Sequence, residues 1–579
     1  MMKEKITGAE ALMRSLEAEG VDTIFGYPGG TIMPVYDKLY DHQTTLNHIL
    51  ARHEQGAIHA AEGYARATGK VGVVFATSGP GATNLVTGIA DARMDSTPLV
   101  VIAGQVGTNV LGNDAFQETD FIDVTNPISK YGIQVREASE VPEIVSRAFH
   151  IANSGRPGPV IIDMPRNVQL ELMEWQPYKK CEFIRTYIAR PNLDMTEISL
   201  AAQLLNLAER PLILAGHGVT IAGAERELGE IAEKADIPVA TTLHGLAVLP
   251  SDHPYNVGMV GMHGNIGANV GTNRADVIFA VGLRFDDRVL GSVKDYAPDA
   301  KIIHVDIDAS EIGRAINPYL TIHADALDAL KALLPLVKQA QHTDWIKFFT
   351  DCERLEYDKV VKPKVSLEDG EEPMKLAEVV SKISENSEAD SILVTDVGQN
   401  QMSAVRYFKI SSPRSVITSG GLGTMGFGLP AAIGAKIGRP ERTVYLFCGD
   451  GGFQMTEQEL GTILEYGINV KIVILNNNYL GNVKQWQKLF FNGRFSQTPM
   501  VNPDFVAIAK AYGIEGEDVA ARKDLAGAVE RLFGTDKSYL LNVNIDPEDM
   551  VFPMICPGDP IDKILLDENE YLDLNIVKL

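Results

Sequence analysis

Short apolar runs rich in β-branched residues alternate with segments of helical period along nearly the whole chain, the pattern of parallel sheets covered by helices. Strands are predicted at Val71 to Phe75, Leu99 to Ala103, Val160 to Asp163, Leu212 to Ala215, Val277 to Val281, Ile302 to Val305, Ile392 to Thr395, Thr443 to Cys448 and Val470 to Leu475. Two stretches break the rhythm. Leu170 to Asn192 is irregular, with Lys179 and Lys180 beside aromatics, and His342 to Met374 is charged and closes with Glu-Asp-Gly-Glu-Glu-Pro-Met. Taken as interdomain connections, they divide the 579 residues into three α/β domains, doubly wound around parallel sheets, at residues 1–175, 190–345 and 370–579. No short repeat or low-complexity tract is visible.

Composition narrows the function classes. The chain is 45% hydrophobic and 22% charged, with 52 Gly and 29 Pro, which suits a globular enzyme and excludes a collagen-like, coiled-coil or disordered chain. The 52 basic against 76 acidic side chains leave a formal charge of -24, which disfavours nucleic acid and anionic membrane surfaces as partners. A small anion can still be held where backbone N–H groups or a divalent cation converge. The four cysteines have no C-x-x-C spacing, so neither a disulfide framework nor a zinc site is indicated. Met1 to Gly20 places four glutamates among helical-period apolar residues, unlike a signal or transit peptide, and reads as a folded first helix. No apolar run approaches the ~18 residues that would span a bilayer, and a soluble, cytoplasmic protein is expected.

The stretch from Thr443 to Asn478 carries the chemistry. A strand leads into Gly449-Asp450-Gly451-Gly452, a helical pattern covers Thr456 to Tyr466, and a second strand leads into Asn476-Asn477-Asn478. Adjacent parallel strands would set Asp450 and Asn477 side by side at their carboxyl ends, where ligands of such sheets bind. A carboxylate and an amide oxygen are hard donors that suit Mg²⁺, an ion commonly completed by phosphate oxygens, and glycines let backbone N–H groups approach a diphosphate. Two Gly-rich turns, Thr77 to Thr83 and Thr418 to Thr424, echo each other. Chance likeness of turn residues explains the echo equally well. Gly421-Leu422-Gly423-Thr424-Met425-Gly426 also fits the dinucleotide fingerprint G-x-G-x-x-G, which would make the protein a dehydrogenase. That reading leaves Asn476 and Asn477 without a task.

Gly449-Asp450-Gly451 followed by Asn476-Asn477 resembles the signature of thiamin-diphosphate enzymes. Within them the chain is similar, over nearly its whole length, to the catalytic subunits of acetohydroxyacid synthase (acetolactate synthase). The resemblance rests on Phe25 to Gly30, Arg52-His53-Glu54-Gln55-Gly56-Ala57, Thr77 to Asn84, Asp114 to Glu118, Gly155 to Val160, Gly258 to Gly264, Arg284 to Val289, Gly420 to Gly434 and Gln485-Trp486-Gln487. It implies a pyrimidine-binding domain, a central FAD-binding domain and a diphosphate-binding domain with a C-terminal tail.

The roles that follow are those the resemblance implies. Glu54 would hydrogen-bond the aminopyrimidine ring and favour an imino form that removes the C2 proton of thiamin diphosphate; read alone, it is a first-turn glutamate facing a helix dipole. Met425 would wedge between the cofactor's rings. Gln399, Asn400, Gly423, Gly449, Gly451 and Gly452 would contact the diphosphate segment, with Asp450, Asn477 and Tyr479 holding Mg²⁺. Gly30, Phe116, Gln117 and Arg166 would line the substrate pocket, and Trp486 would favour 2-oxobutyrate over pyruvate as acceptor. Arg156, His263, Gly264, Arg284, Asp306 and Asp325 would hold FAD in a structural role, although Arg-Phe-Asp-Asp-Arg-Val reads equally well as a surface ion-pair cluster. Four positions depart from the family pattern: Asn400 replaces a commoner histidine, Ser403 a tryptophan, Arg166 a lysine and Asn482 a methionine. The expected reaction joins pyruvate, with loss of CO₂, to a second pyruvate or to 2-oxobutyrate, giving 2-acetolactate or 2-aceto-2-hydroxybutyrate for branched-chain amino acids. A homodimer or homotetramer with sites between chains, and a separate small regulatory subunit, are also implied. The alternative from the same resemblance is a pyruvate oxidase, whose flavin takes the electrons; a non-catalytic relative is disfavoured by intact Glu54, Asp450 and Asn477.

Overall fold

The computed structural model describes residues 4–577 other than 366, 368 and 369; the first three residues of the Met1 to Gly20 expectation lie outside them. The first helix spans Gly8–Glu19, begins where the Thr7 hydroxyl accepts from the Glu10 amide at 3.2 Å, and stops at Gly20, whose φ of 83° suits glycine.

Three six-stranded sheets, parallel throughout, form the cores. The first contains β1 (Thr23–Gly26), β2 (Asn47–Leu50), β3 (Gly72–Ala76), β4 (Leu99–Gln105), β5 (Tyr131–Gln134) and β6 (Pro159–Pro165), in the order β2-β1-β3-β4-β6-β5. The middle sheet contains β7 (Pro211–Ala215), β8 (Val239–Thr241), β9 (Asn256–Met259), β10 (Val277–Val281), β11 (Lys301–Asp306) and β12 (Leu320–His323), in the order β9-β8-β7-β10-β11-β12. The third contains β13 (Ile392–Thr395), β14 (Val416–Ile417), β15 (Val444–Gly449), β16 (Lys471–Asn476), β17 (Glu515–Val519) and β18 (Tyr539–Asn544), in the order β14-β13-β15-β16-β18-β17. The first and third sheets therefore share one strand order. The middle sheet has the order of the dinucleotide-binding folds.

Each of the nine predicted strands is present, two with the predicted bounds and seven shifted or extended by a residue or two. The missed strands are mostly short or half-exposed, such as β9 and β17, where water on one face erases the apolar run. The GDGG segment differs from expectation: the helix begins at Asp450, not Thr456, and runs to Thr456 before a second helix at Leu460–Tyr466. Two further differences concern one connection and the C-terminal tail. His342 to Met374 opens with a helix, Thr343–Glu356, that buries Trp345, Phe348, Phe349 and Cys352 in the core on one face of the middle sheet. Residues Ile555, Ile561, Ile564, Leu566, Leu572 and Val577 of the C-terminal tail bury in that same core.

The echo between Thr77 to Thr83 and Thr418 to Thr424 does not mark equivalent places. The first turn follows β3, the third strand of its sheet, and the second follows β14, the second strand of its sheet. By topology the partner of Thr77 to Thr83 is the GDGG turn after β15, and the partner of the Gly420 turn is Ala51 to His53 after β2. The helices that follow these last two turns, Glu54–Thr68 and Gly428–Gly438, cross in contact. A Cβ on Gly63 would lie 2.0 Å from the Ala431 carbonyl oxygen, and one on Gly434 would lie 1.7 Å from that of Ala60. Among the described residues, no helix is long and apolar enough to cross a membrane.

Candidate active site and cofactor clefts

In an open α/β sheet, ligands sit beyond the strands' carboxyl ends where the strand order reverses. In the third sheet that point lies between β13 and β15, which lead into Asp396 to Asn400 and into Asp450. Gly449 of β15 pairs with Leu475 of β16, so Asp450 and Asn477 leave neighbouring strand ends. Asp450 is buried, and among the described residues no lysine or arginine pairs with it. Its carboxylate accepts from Asn502 Nδ2 at 2.7 Å, and burial pushes its pKa up to about 6. Asn502 Nδ2 also reaches Asn476 Oδ1 at 2.9 Å and Asn478 Oδ1 at 3.2 Å, so one amide gathers both turns. Asn477 Oδ1 accepts from the Tyr479 amide at 3.0 Å, which bends the chain around the same point.

Gln399 and Asn400 behave differently. Gln399 spends its amide on Gln485 Oε1 at 2.9 Å and accepts from Asn477 Nδ2 at 3.3 Å, so it braces the turn from behind. Asn400 keeps a buried Oδ1 without a hydrogen-bond partner, beside Gly449. A Cβ on Gly451 would meet Leu480, Met500 and Met425 at 2.8, 3.3 and 3.6 Å, so Met425 faces the GDGG turn. The loop that presents Met425 is shaped by Asp396, which is fully buried and accepts from Gly426 N at 3.0 Å and Gly428 N at 2.9 Å. Gly423 precedes it at φ 73°.

Glu54 opens the helix after β2. Its Oε2 accepts from Asn84 Nδ2 at 2.9 Å, while Oε1 faces Gly81. Among the described residues no hydrogen bond joins Glu54 to Asp450. Gly30, Phe116 and Arg166 are exposed, Phe116 at 88%; Gln117, at φ 61°, packs on Gly79.

A cavity of about 950 Å³ opens at the switch point of the middle sheet, where the turns after β7 and β10 meet. Gly218 and Gly282 touch there, a Cβ on Gly218 falling 2.6 Å from the Gly282 Cα. Arg156, His263, Arg284, Asp306 and Asp325 all line this cavity, as do Gly423, Asn482 and Trp486. Gly264 does not line it; its carbonyl accepts from Arg406. Burial raises the Asp306 carboxyl to about 7 and lowers His263 to about 3, and His263 Nδ1 has no hydrogen-bond partner. Arg156 already bonds Glu311 at 2.6 Å and Ser96 at 2.9 Å, so its charge is shared with protein partners.

Asn84, Asp396 and Asn502 are functional candidates that the sequence pattern did not single out. Asn84 closes a motif recognised for its glycines, and Asp396 directly follows a predicted strand, which is a usable signal. Asn502 stands in an irregular stretch that offers none.

Comparison with known proteins follows the same division. Residues 6–124 match the thiamine pyrophosphate enzyme N-terminal TPP binding domain, 198–333 the central domain and 396–543 the C-terminal TPP binding domain. The chain is 45% identical over 570 residues to a protein of Methanocaldococcus jannaschii named "Probable acetolactate synthase large subunit", covering 96% of this chain and 95% of that one. It is 42% identical to the acetolactate synthase large subunit of Lactococcus lactis over 99% of both chains. It is also 42% identical to the acetolactate synthase isozyme 2 large subunit of Escherichia coli, covering 96% of this chain and 98% of that one. The chain thus belongs to the thiamine pyrophosphate enzymes and, within them, to the acetolactate synthase large subunits.

Proposed function

We propose that this acetolactate synthase binds thiamin diphosphate and Mg²⁺ at the end of the third sheet and FAD in the middle-sheet cavity, with residues 1–175, 190–345 and 370–579 as the three working domains. The observation that carries the reading is Asp450: a buried carboxylate with no cationic partner among the described residues, set beside Asn477 at adjoining strand ends. Such a group is stabilised by a bound cation, and its oxygen donors suit Mg²⁺. The unpartnered Asn400 Oδ1 and the glycine backbone at Gly449 and Gly451 favour a polar ligand in the same cleft.

Thiamin diphosphate, when bound, supplies the nucleophilic carbon and the electron sink that decarboxylation of a 2-oxo acid needs. The protein's share is placement. Asp450, Asn477 and the Tyr479 segment hold the metal, Asp396 fixes the loop that presents Met425, and Asn84 secures one oxygen of Glu54 while the other stays open to hold a proton. The exposure of Gly30, Phe116 and Arg166 supports a site completed by a second copy of the chain, in a homodimer or homotetramer. Trp486 and Asn482 line the cavity, which favours them as contacts for an acceptor, pyruvate or 2-oxobutyrate. Arg284, Asp306 and Asp325 give that cavity the mixed polar lining a flavin nucleotide requires. The relatives are named large subunits, which favours a separate small regulatory partner.

The test is a titration of thiamin diphosphate at several Mg²⁺ concentrations. Asp450→Ala should lose Mg²⁺-dependent binding, and a variant that keeps wild-type affinity would remove Asp450 from the metal site.

A further inference from the structure

We propose that Glu459 is a positioning residue for Glu54, its carboxylate reaching from the third sheet's unit to fix the turn from which Glu54 projects. The inference rests on the proton role given to Glu54 above. Glu459 is buried, 1% exposed, and its Oε1 accepts from the Arg52 and His53 backbone amides, both at 3.1 Å. Its Oε2 accepts from Arg52 N at 3.2 Å and from the Thr462 hydroxyl at 2.7 Å. These are the residues immediately before Glu54, across more than four hundred positions of sequence. Bonds from backbone N–H to an ionised carboxylate are charge-assisted and geometrically strict.

Two further observations support the assignment. First, Gly56 has no room for a side chain because Glu459 fills it: a Cβ there would lie 2.2 Å from Glu459 Oε1. Neighbouring bonds fasten the same turn, Arg52 to Glu465 at 2.6 Å and to the Gly461 carbonyl at 3.0 Å, and Leu50 N to the Tyr466 hydroxyl at 2.8 Å. Second, the arrangement is reciprocal. Asp95, at the end of the helix Val86–Met94 in the first unit, accepts from Gly420 N at 3.0 Å and Gly421 N at 2.7 Å, in the turn that leads to Met425. The first and third sheets share one strand order. In each, the turn after the second strand is held by a buried carboxylate that follows the third strand of the other.

Glu459 touches no group that reacts, so its effect must pass through Glu54. Three readouts separate this from a general structural role. In the cofactor-free enzyme, Glu459→Ala should speed hydrogen exchange at the Arg52 and His53 amides by about 10- to 100-fold, the loss of a charged hydrogen bond. With thiamin diphosphate bound, exchange of its C2 proton should slow by up to about 100-fold, the usual consequence of displacing a proton-handling group by about 1 Å, while cofactor affinity stays within about twofold. Gly56→Ala should cause a comparable loss in the wild type and little further loss in the Glu459→Ala background, where the methyl has room. Glu459→Gln, which keeps one acceptor oxygen, should recover part of the C2 exchange rate. If Glu459→Ala exchanges the C2 proton at the wild-type rate while Glu54→Gln does not, the proposal is overturned. If Glu54→Gln also exchanges normally, the proton role of Glu54 fails first and the proposal falls with it.

Discussion

The crossing of the Glu54–Thr68 and Gly428–Gly438 helices makes a demanding prediction at Gly434. A methyl group there would lie 1.7 Å from the Ala60 carbonyl oxygen, 2.6 Å from its carbon and 2.9 Å from Tyr64 N. All three are backbone atoms, so no side chain can rotate away. An ordinary carbon–oxygen approach is roughly 3.3 Å, so relief requires the helices to part by about 1.5 Å. Alanine gains about 1 kcal/mol of helix propensity over glycine, but overpacking a tight contact costs about 1–3 kcal/mol. With backbone on both sides the cost lies at the upper end, leaving a net destabilisation of about 2 kcal/mol, or roughly 30-fold in the unfolding equilibrium. The helices also carry Glu54 at one N-terminus and the Met425 loop at the other, so the same shift should lower turnover by about 100-fold. The matched control is Gly527→Ala, also inside a helix, where the Cβ meets only the flexible end of Arg531 at 3.3 Å; it should be neutral or mildly stabilising. Thermal unfolding and steady-state turnover measure both effects. A Gly434→Ala enzyme with wild-type midpoint and turnover would refute the close crossing and the link drawn from it to activity.

Other expectations follow from single sites. Asp163 is buried against Gln134 at 2.7 Å, and burial raises its carboxyl to about 6. A folded pKa above the unfolded ~3.9 means that the ionised group costs almost nothing below about pH 3, costs progressively more as pH rises from about 4 to 6 and levels off at about 3 kcal/mol above that. Asp163→Asn should therefore raise the urea midpoint at pH 7.5 and change it little near pH 3; equal midpoints at pH 7.5 would contradict the shift. Glu54→Gln should bind thiamin diphosphate normally yet lose about 100- to 10,000-fold in turnover, and near-normal turnover would remove it from the proton path. Asn84→Ala deletes the 2.9 Å bond to Glu54 Oε2 and should lower kcat about 10-fold or more with cofactor affinity retained, so an unchanged kcat would show that Asn84 does not steer Glu54.

The juxtaposition of Asp450 and Asn477 is legible in the sequence because it is set by a local segment. A strand, a GDGG turn, a helical stretch and a second strand ending in asparagines bring Asp450 and Asn477 together whenever the two strands pair, and β15 and β16 do pair. Glycine and serine content, by contrast, marks a turn without encoding its place in the strand order, which is why the Thr77 and Thr418 turns look alike at non-equivalent positions. Glu459, Asp95 and Asn502 were invisible for another reason: they act on backbone amides or on turns far away in sequence, and such acceptors leave no periodic trace. The helix Thr343–Glu356 was within reach, since Trp345, Phe348, Phe349 and Cys352 follow helical spacing. Its charged face and the acidic run after it resemble an interdomain connection.

The proposed reaction is tested most directly by what the enzyme does with pyruvate alone. Supplied anaerobically with pyruvate, Mg²⁺, thiamin diphosphate and FAD, it should release one CO₂ for each acetolactate formed from two pyruvates, with the flavin absorbance unchanged. Stoichiometric bleaching of the flavin without acetolactate would contradict the account and favour an oxidase.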